Sequence, residues 1–143
     1  ELGSAKVSAI KRPCNQRKDG GWRCGHLPDW MYVAATDLKR DGTSRNCLWA
    51  HPPAGGHPLK IRFDSIPSGE LTFGHGLSEK AANSNNREPV RVRIKWDGGS
   101  TVSEVGNQTA WRRSKHRVKG FLELEVSAKR DGQRHHCLTA AIR

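Results

Sequence analysis

The stretch KRDGTSRNCL at residues 39–48 reappears as KRDGQRHHCL at residues 129–138. In both copies an Asp-Gly turn signal is followed by four polar residues, a cysteine and a short apolar run. The pattern predicts a turn that leads into a strand near each end of one domain. Because Cys47 and Cys137 occupy the same place in the two copies, we expect them to face each other and form a disulfide bond.

The composition of the 143-residue chain favours an all-β fold. The chain contains 15 glycines, 7 prolines and a single methionine, which suits short strands and frequent turns. No long stretch has the i, i+3, i+4, i+7 spacing of an amphipathic helix. No apolar run approaches the roughly 18 residues that a membrane-spanning helix needs.

Alternating apolar and polar residues predict about eight short strands, spaced as in an antiparallel β-sandwich of the jelly-roll type. The clearest strand is VRVRIKW at residues 90–96, and the Asp-Gly-Gly-Ser sequence at 97–100 predicts a hairpin with residues 101–105. The sequence Ile-Pro-Ser-Gly at 66–69 predicts a turn between two further strands.

The chain is predicted to divide into an irregular N-terminal arm, residues 1–44, and a β-sandwich domain, residues 45–143. In the arm, Cys14 and Cys24 bracket a turn-rich loop that a disulfide would close. A zinc site formed by these two cysteines and His26 would lack a fourth ligand nearby, and no C-x-x-C pair is present. Four buried free thiols in a cytosolic protein are the remaining alternative.

Two disulfides would place the protein in an oxidising compartment, either the periplasm or the extracellular side of a cell surface. The first six residues carry no charged-then-apolar signal peptide. That beginning is compatible with a mature end at Glu1 exposed by cleavage.

Four segments follow one another in an order that resembles the galactose-binding-like (discoidin-like) jelly-roll domains, and among them carbohydrate-binding modules. They are CLWAHP at 47–52, FGHGL at 73–77, VRVRI at 90–94 and CLTAAI at 137–142. The resemblance implies a sandwich whose first and last strands lie side by side, which fits a bond between Cys47 and Cys137. Such domains include sugar-binding modules and pure interaction modules, so the resemblance implies binding and assigns no sugar-contacting residue.

The net charge of +11 is spread along the chain and favours an anionic partner. An acidic glycan or an acidic protein surface fits best, whereas the inferred disulfides disfavour nucleic acid. A cationic surface without any such partner is the plain alternative. The candidate anion-binding residues lie in the densest basic segment and on the clearest strand: Arg112, Arg113, Lys115, Arg117, Lys119, Arg91, Arg93 and Lys95.

The outward cations of strands 59–63 and 90–96 raise a question of charge repulsion, because like charges directly opposite each other destabilise a sheet. Three arrangements would resolve it. The two strands are not neighbours, or Glu123 and Glu125 lie between them, or an anion covers the face.

Three tryptophans are candidates for stacking on a sugar or anchoring an interface: Trp22, Trp30 and Trp111. The alternative is that each caps the end of the core. Six histidines form a further set, and pairing of the two end strands would bring some of them together, as metal ligands or as a pH switch. The spacing of these histidines matches no metal motif, and no catalytic or cofactor-binding motif is present.

The predicted function is therefore a non-catalytic, extracytoplasmic binding or assembly module with an anionic partner, without metal or cofactor. One alternative is a carbohydrate-binding module that uses a tryptophan platform. Another is an accessory subunit of a larger cell-surface or membrane-associated complex.

Overall fold

The computed structural model describes residues 4–143 and confirms an all-β, antiparallel fold. Residues 1–3, and with them the prediction of a processed end at Glu1, lie outside the described part. The strands are β1 (Lys6–Ala9), β2 (Arg12–Pro13), β3 (Asn15–Gln16), β4 (Trp22–Arg23), β5 (Tyr32–Arg40), β6 (Thr43–Ala50), β7 (Leu59–Leu77), β8 (Val90–Trp96), β9 (Gly99–Val105), β10 (Arg112–Ser127) and β11 (His136–Ile142). Between them lie a 3-10 turn, Ala54–Gly56, and one short helix, α1, Glu79–Ala82.

Two long strands, β7 and β10, belong to both layers of the sandwich. The first part of β7 pairs with β1 and with the second part of β10, which continues to β8 and β9. The second part of β7 pairs with β11 and with the first part of β10. From β11 the second layer continues through β6, β5 and β4 to β3.

The predicted turn at residues 66–69 is wrong, because β7 passes through these residues as one bent strand. Pro67 has no backbone N–H, and proline is tolerated in a sheet only where no ladder bond is required of it. It lies between the part of β7 that pairs with β1 and the part that pairs with β11. Opposite the bend, the pairing of β10 shifts register on both sides of Gly120, whose φ is 76°.

The first copy of the repeat forms the predicted turn into a strand. Asp41 and Gly42 connect β5 to β6 with φ angles of 51° and 75°, as a type I′ hairpin turn requires. In the second copy the strand begins at His136. The predicted hairpin after residue 96 is also present, since β8 and β9 are joined by residues 97–98 alone.

Both predicted disulfides are present, Cys14–Cys24 and Cys47–Cys137. The second bond joins β6 to β11, the strands predicted to lie side by side, where Cys137 pairs with Trp49 across the ladder.

The N-terminal 44 residues take part in the same sheet as the rest of the domain. β1 pairs with β7, and Val7 and Ala9 are buried in the main core. β5 pairs along its whole length with β6, so the predicted boundary at residues 44 and 45 falls inside a hairpin.

The first two of the three charge arrangements are observed together, because the two cationic strands are separated by the strand that carries the glutamates. β10 lies between β7 and β8, and it places Glu123 between Arg62 and Lys95, and Glu125 between Lys60 and Arg93. The Lys95 ammonium lies 3.1 Å from a carboxylate oxygen of Glu125. Each carboxylate therefore separates cations that would otherwise repel.

No helix in the described part of the chain has the length and apolar character needed to cross a membrane.

Candidate functional site

Three strand ends bring aromatic and histidine side chains together at one end of the second layer. β5 begins at Tyr32 and β6 ends at Ala50, so in this antiparallel pair both ends lie on the same side. β11 pairs with β6 and begins at His136, which brings the loop before it to the same place. Strand pairing thus brings together residues that are far apart in the chain.

Trp49 is the centre of this aromatic cluster. Its ring stacks on Tyr32 with centroids 5.5 Å apart, and it lies 5.6 Å from the ring of His135. The indole N–H donates a 3.0 Å hydrogen bond to the carbonyl of Trp30. The ring of Trp30 contacts His51 at 4.3 Å, so the cluster holds its members in fixed positions.

Beside the cluster lies an open cleft of about 250 Å³. Aromatic surface forms one part of its wall, and the loop before β11 supplies polar groups. The lining residues are Trp30, Trp49, His51, Asp131, Gly132, Gln133 and His135.

His51, one of the residues that line this cleft, has an uncharged imidazole ring. Its Nδ1 lies 2.8 Å from the carbonyl of Pro52, and because a carbonyl only accepts, Nδ1 carries the proton. Burial lowers the pKa of His51 from 6.5 to about 4, so the ring is neutral at pH 7 and Nε2 keeps its lone pair.

The other polar groups at the cleft are also suited to accept or share hydrogen bonds with a neutral ligand. Burial lowers the pKa of His135, and the cations of Lys80 and Arg134 act in the same direction. Asp131 supplies a carboxylate, which accepts hydrogen bonds from hydroxyl groups. A ligand rich in hydroxyls and with an apolar face would match this combination.

A second pair of histidines, His75 and His136, lies in the core and does not line the cleft. His136 Nδ1 donates to the Ala50 carbonyl at 2.9 Å, so its Nε2 accepts from His75 Nδ1 at 3.0 Å. The remaining nitrogen of His75 then accepts from the Ser103 hydroxyl at 2.8 Å, across the two layers. Burial lowers the pKa of His75 to about 2 and that of His136 to about 4.

The predicted stacking residues fall in three different settings. Trp30 lines the cleft, whereas Trp22 packs against the main core. Trp111 lies on Gly74 and Gly76, where a Cβ at Gly74 would come within 2.5 Å of the indole nitrogen. The guanidinium of Arg45 lies 5.1 Å from the centre of the Trp111 ring.

The predicted anion-binding residues form two groups, neither of which lines the cleft. Arg91 and Lys95 on β8 make ion pairs with carboxylates, and Arg93 on the same strand is exposed. The second group is exposed along the first part of β10: Arg112, Arg113, Lys115, Arg117 and Lys119. Their role in binding an anion stays a prediction.

Sequence reasoning did not identify Trp49 and Asp131 as site residues. Trp49 lies in the short apolar run after Asn46, and only the pairing of β5, β6 and β11 reveals its place. The prediction that pairing of the end strands, β6 and β11, brings histidines together is confirmed for His51 and His135, whose ring centroids lie 6.1 Å apart. His75 meets His136 through a different pairing, that of β7 with β11. Within residues 4–143, no group of three or more His, Cys, Asp or Glu side chains is arranged to hold a metal ion.

Comparison with known proteins shows that the fold resembles solved structures that contain CBM51 domains. No protein-family model and no curated protein matches the chain. A structure of a catalytic domain with two CBM51 domains from Clostridium perfringens ZmpB is 18% identical, with a TM-score of 0.56 over 97% of this chain and 19% of that chain. The CBM51 of Clostridium perfringens GH95, in complex with methyl-galactose, is 14% identical, with a TM-score of 0.50 over 76% of this chain and 80% of that one.

A third structure contains CBM51-2 in complex with GlcNAc and INT domains from Clostridium perfringens ZmpB. It is 10% identical, with a TM-score of 0.50 over 97% of this chain and 41% of that chain. The chain thus spans most of the single-module structure and less than half of the two ZmpB structures. The likeness confirms the predicted galactose-binding-like jelly-roll fold.

Proposed function

We propose that this domain is a non-catalytic carbohydrate-binding module that acts outside the cytoplasm and binds a sugar in the cleft at Trp49. Of the functions predicted from the sequence, this is the carbohydrate-binding alternative, but of its three platform candidates, Trp22, Trp30 and Trp111, only Trp30 lines the cleft, beside Trp49. The observation that carries it is the cleft itself, where aromatic walls meet fixed hydrogen-bond acceptors. Two disulfides support the extracytoplasmic setting.

The chemistry of the cleft favours a neutral sugar over an acidic one. A sugar ring has an apolar face that packs on an aromatic side chain and an edge of hydroxyls that donate hydrogen bonds. The Asp131 carboxylate and the unprotonated Nε2 of His51 would accept from these hydroxyls. A carboxylate or sulfate on the ligand would instead be repelled by Asp131.

We expect an array of neutral and acidic glycans to return neutral sugars as ligands of the wild-type domain. A hydrogen bond from a hydroxyl to a carboxylate contributes roughly 1.5–3 kcal/mol, so Asp131→Asn should weaken binding of the hit by about tenfold or more in isothermal titration calorimetry. Trp49→Ala should abolish detectable binding, with circular dichroism used to show that the variant remains folded.

The matched control is Asp97→Asn, which makes the same change in the exposed turn between β8 and β9. It should bind as the wild type does. Unaltered affinity of the Asp131→Asn protein would contradict the proposal. If no glycan on the array binds and other proteins co-purify with the domain from its host, the accessory-subunit alternative would be favoured.

A further inference from the structure

The first part of β10 forms an open edge of the second layer. Residues 112–118 pair with β7 on one side, whereas β8 reaches only residues 122–127 on the other. Beyond the end of β8, the backbone N–H of Asp97 donates to the carbonyl of Lys119. None of the other described strands pairs with residues 112–118.

The pairing of β7 fixes which backbone groups of this edge point outward. Glu70 exchanges two backbone hydrogen bonds with Arg143, at 2.8 and 3.0 Å, so its polar groups face away from β10. Because the direction alternates along a strand, the next residue, Leu71, faces β10 and bonds His116, its register partner. His116 therefore faces β7, and the residues that alternate with it face the other way. The backbone N–H and C=O groups of Arg113, Lys115 and Arg117 point to the open edge.

The outward direction of these groups agrees with an independent contact. Lys119 belongs to the same alternating set, and its carbonyl does point to the side of β8, where it accepts from Asp97. For Arg113, Lys115 and Arg117 that side holds no strand formed by residues 4–143. The edge thus offers three residues whose backbone donors and acceptors have no ladder partner in the described part of the chain.

The same three residues carry exposed cationic side chains. Lys115 lies 3.6 Å from a carboxylate oxygen of Glu70 in a largely exposed pair, and no ion pair is formed by Arg113 or Arg117 among residues 4–143. Side chains two apart on a strand project from the same face. The edge therefore presents cations at alternate positions next to unpaired backbone groups.

We propose that this edge, residues 112–118, is a docking site for an extended acidic peptide that adds a strand to the sheet. Acidic side chains at alternate positions of the incoming strand would lie opposite Arg113, Lys115 and Arg117, and its backbone would complete the ladder. Two copies of this domain would instead bring two rows of cations together, so the edge disfavours self-association. The site is separate from the sugar cleft, and either proposal can fail without the other.

The open backbone favours a peptide over an anionic glycan as the occupant. A sulfated or uronate glycan could use the charges, but it has no N–H groups and carbonyls spaced to continue a β-ladder. A peptide strand would use both features. The experiment must therefore separate charge from backbone pairing.

The probe is a fluorescein-labelled, acetylated and amidated peptide, Thr-Val-Glu-Val-Glu-Val-Glu-Thr, measured by fluorescence anisotropy at about 150 mM salt. We expect saturable binding to the wild-type domain. A second version of the peptide is N-methylated at the residues whose N–H groups face the edge, so it keeps its charge but cannot donate to the ladder. Its affinity should be lower by roughly tenfold or more. Hydrogen exchange should show new protection at the amides of Arg113, Lys115 and Arg117 when the unmodified peptide is bound.

The variant Arg113→Glu, Lys115→Glu, Arg117→Glu should lose binding by roughly tenfold or more. Its matched control, Lys18→Glu, Lys39→Glu, Lys129→Glu, makes the same change in net charge at exposed positions elsewhere and should bind as the wild type does. Equal binding of the N-methylated and unmodified peptides would overturn the proposal, because charge alone would then explain it. Tighter binding of a heparin oligosaccharide than of the peptide, lost in the edge variant, would also overturn it in favour of an anionic glycan.

Discussion

Lowering the pH from about 7 to about 5 should destabilise the domain by about 5 kcal/mol, because three histidines are buried without charge. His75 and His136 are fully buried, and His51 is only 4% exposed. Desolvation is the largest cause of the lowered pKa in each case. Charging any of them within the folded domain is therefore unfavourable.

The sign of this effect follows from proton binding in the two states. Each histidine has a pKa near 6.5 when the chain is unfolded and a lower one when it is folded, about 4 for His51 and His136 and about 2 for His75. Below pH 6.5 the unfolded state binds more protons, so the free energy of unfolding falls as the pH falls. Three such groups give a slope of about 4 kcal/mol per pH unit at its steepest.

Urea denaturation at a series of pH values between about 7 and about 4.5 measures this slope. Carboxylates with ordinary pKa values remain mostly ionised over most of that range, so the histidines dominate the change. His57→Gln serves as the control, since His57 is exposed and its replacement should leave the slope unchanged. A free energy of unfolding that stays constant between pH 7 and pH 5 would contradict the burial of these histidines in neutral form.

Arg134→Met should destabilise the domain by about 3 kcal/mol, since it removes the hydrogen bonds of a buried guanidinium, among them those to the Glu88 carbonyl and the Asn107 side-chain oxygen. The side chain of Arg134 is fully buried, and none of the carboxylates of residues 4–143 forms an ion pair with it. Its guanidinium instead donates, at distances of 2.7–3.0 Å, to oxygens of helix α1, of the loop between α1 and β8 and of the loop after β9: the carbonyls of Ala81, Asn86 and Glu88, the Ser84 hydroxyl and the Asn107 side chain.

This network holds the loop before β11 against helix α1 and the loop after β9. Arg134→Lys should be nearly as destabilising as Arg134→Met, because one ammonium group cannot replace the planar array of donors. Arg130→Met, in the exposed neighbouring position, should leave the urea midpoint unchanged. Hydrogen exchange in residues 78–90 provides a local measurement, and unaltered protection there in the Arg134→Met protein would show that the network is dispensable.

Local patterns in the sequence predicted the fold class, the two hairpins and both disulfides. The alternation over residues 90–96 predicts a strand and the Asp-Gly pairs predict turns, because both patterns reflect short-range conformational preferences. The folded domain contains the strand and both hairpin turns. The continuity of β7 was not predictable in this way, because Pro67 and Gly69 are ordinary turn residues. They remain in a strand because the partner strand β10 bends with them and because Pro67 lies where no ladder bond is needed.

The candidate site was less predictable than the fold, since it depends on the order of strands in the sheet. Trp30 was a stacking candidate from its loop setting, and the histidines were expected to meet if the end strands paired. Trp49 and Asp131 lie about eighty residues apart in the sequence. Only the placement of β11 beside β6 brings them to one cleft.

The passage of β7 and β10 through both layers has a consequence for how the molecule comes apart. In a sandwich whose two layers share no strand, one layer can unfold while the other stays folded. Here β7 and β10 contribute to both layers, so unfolding either layer would also disrupt these two strands in the other. Far-ultraviolet circular dichroism and tryptophan fluorescence should therefore report one coincident transition. No fragment ending between residues 63 and 120 should retain a stable half of the structure.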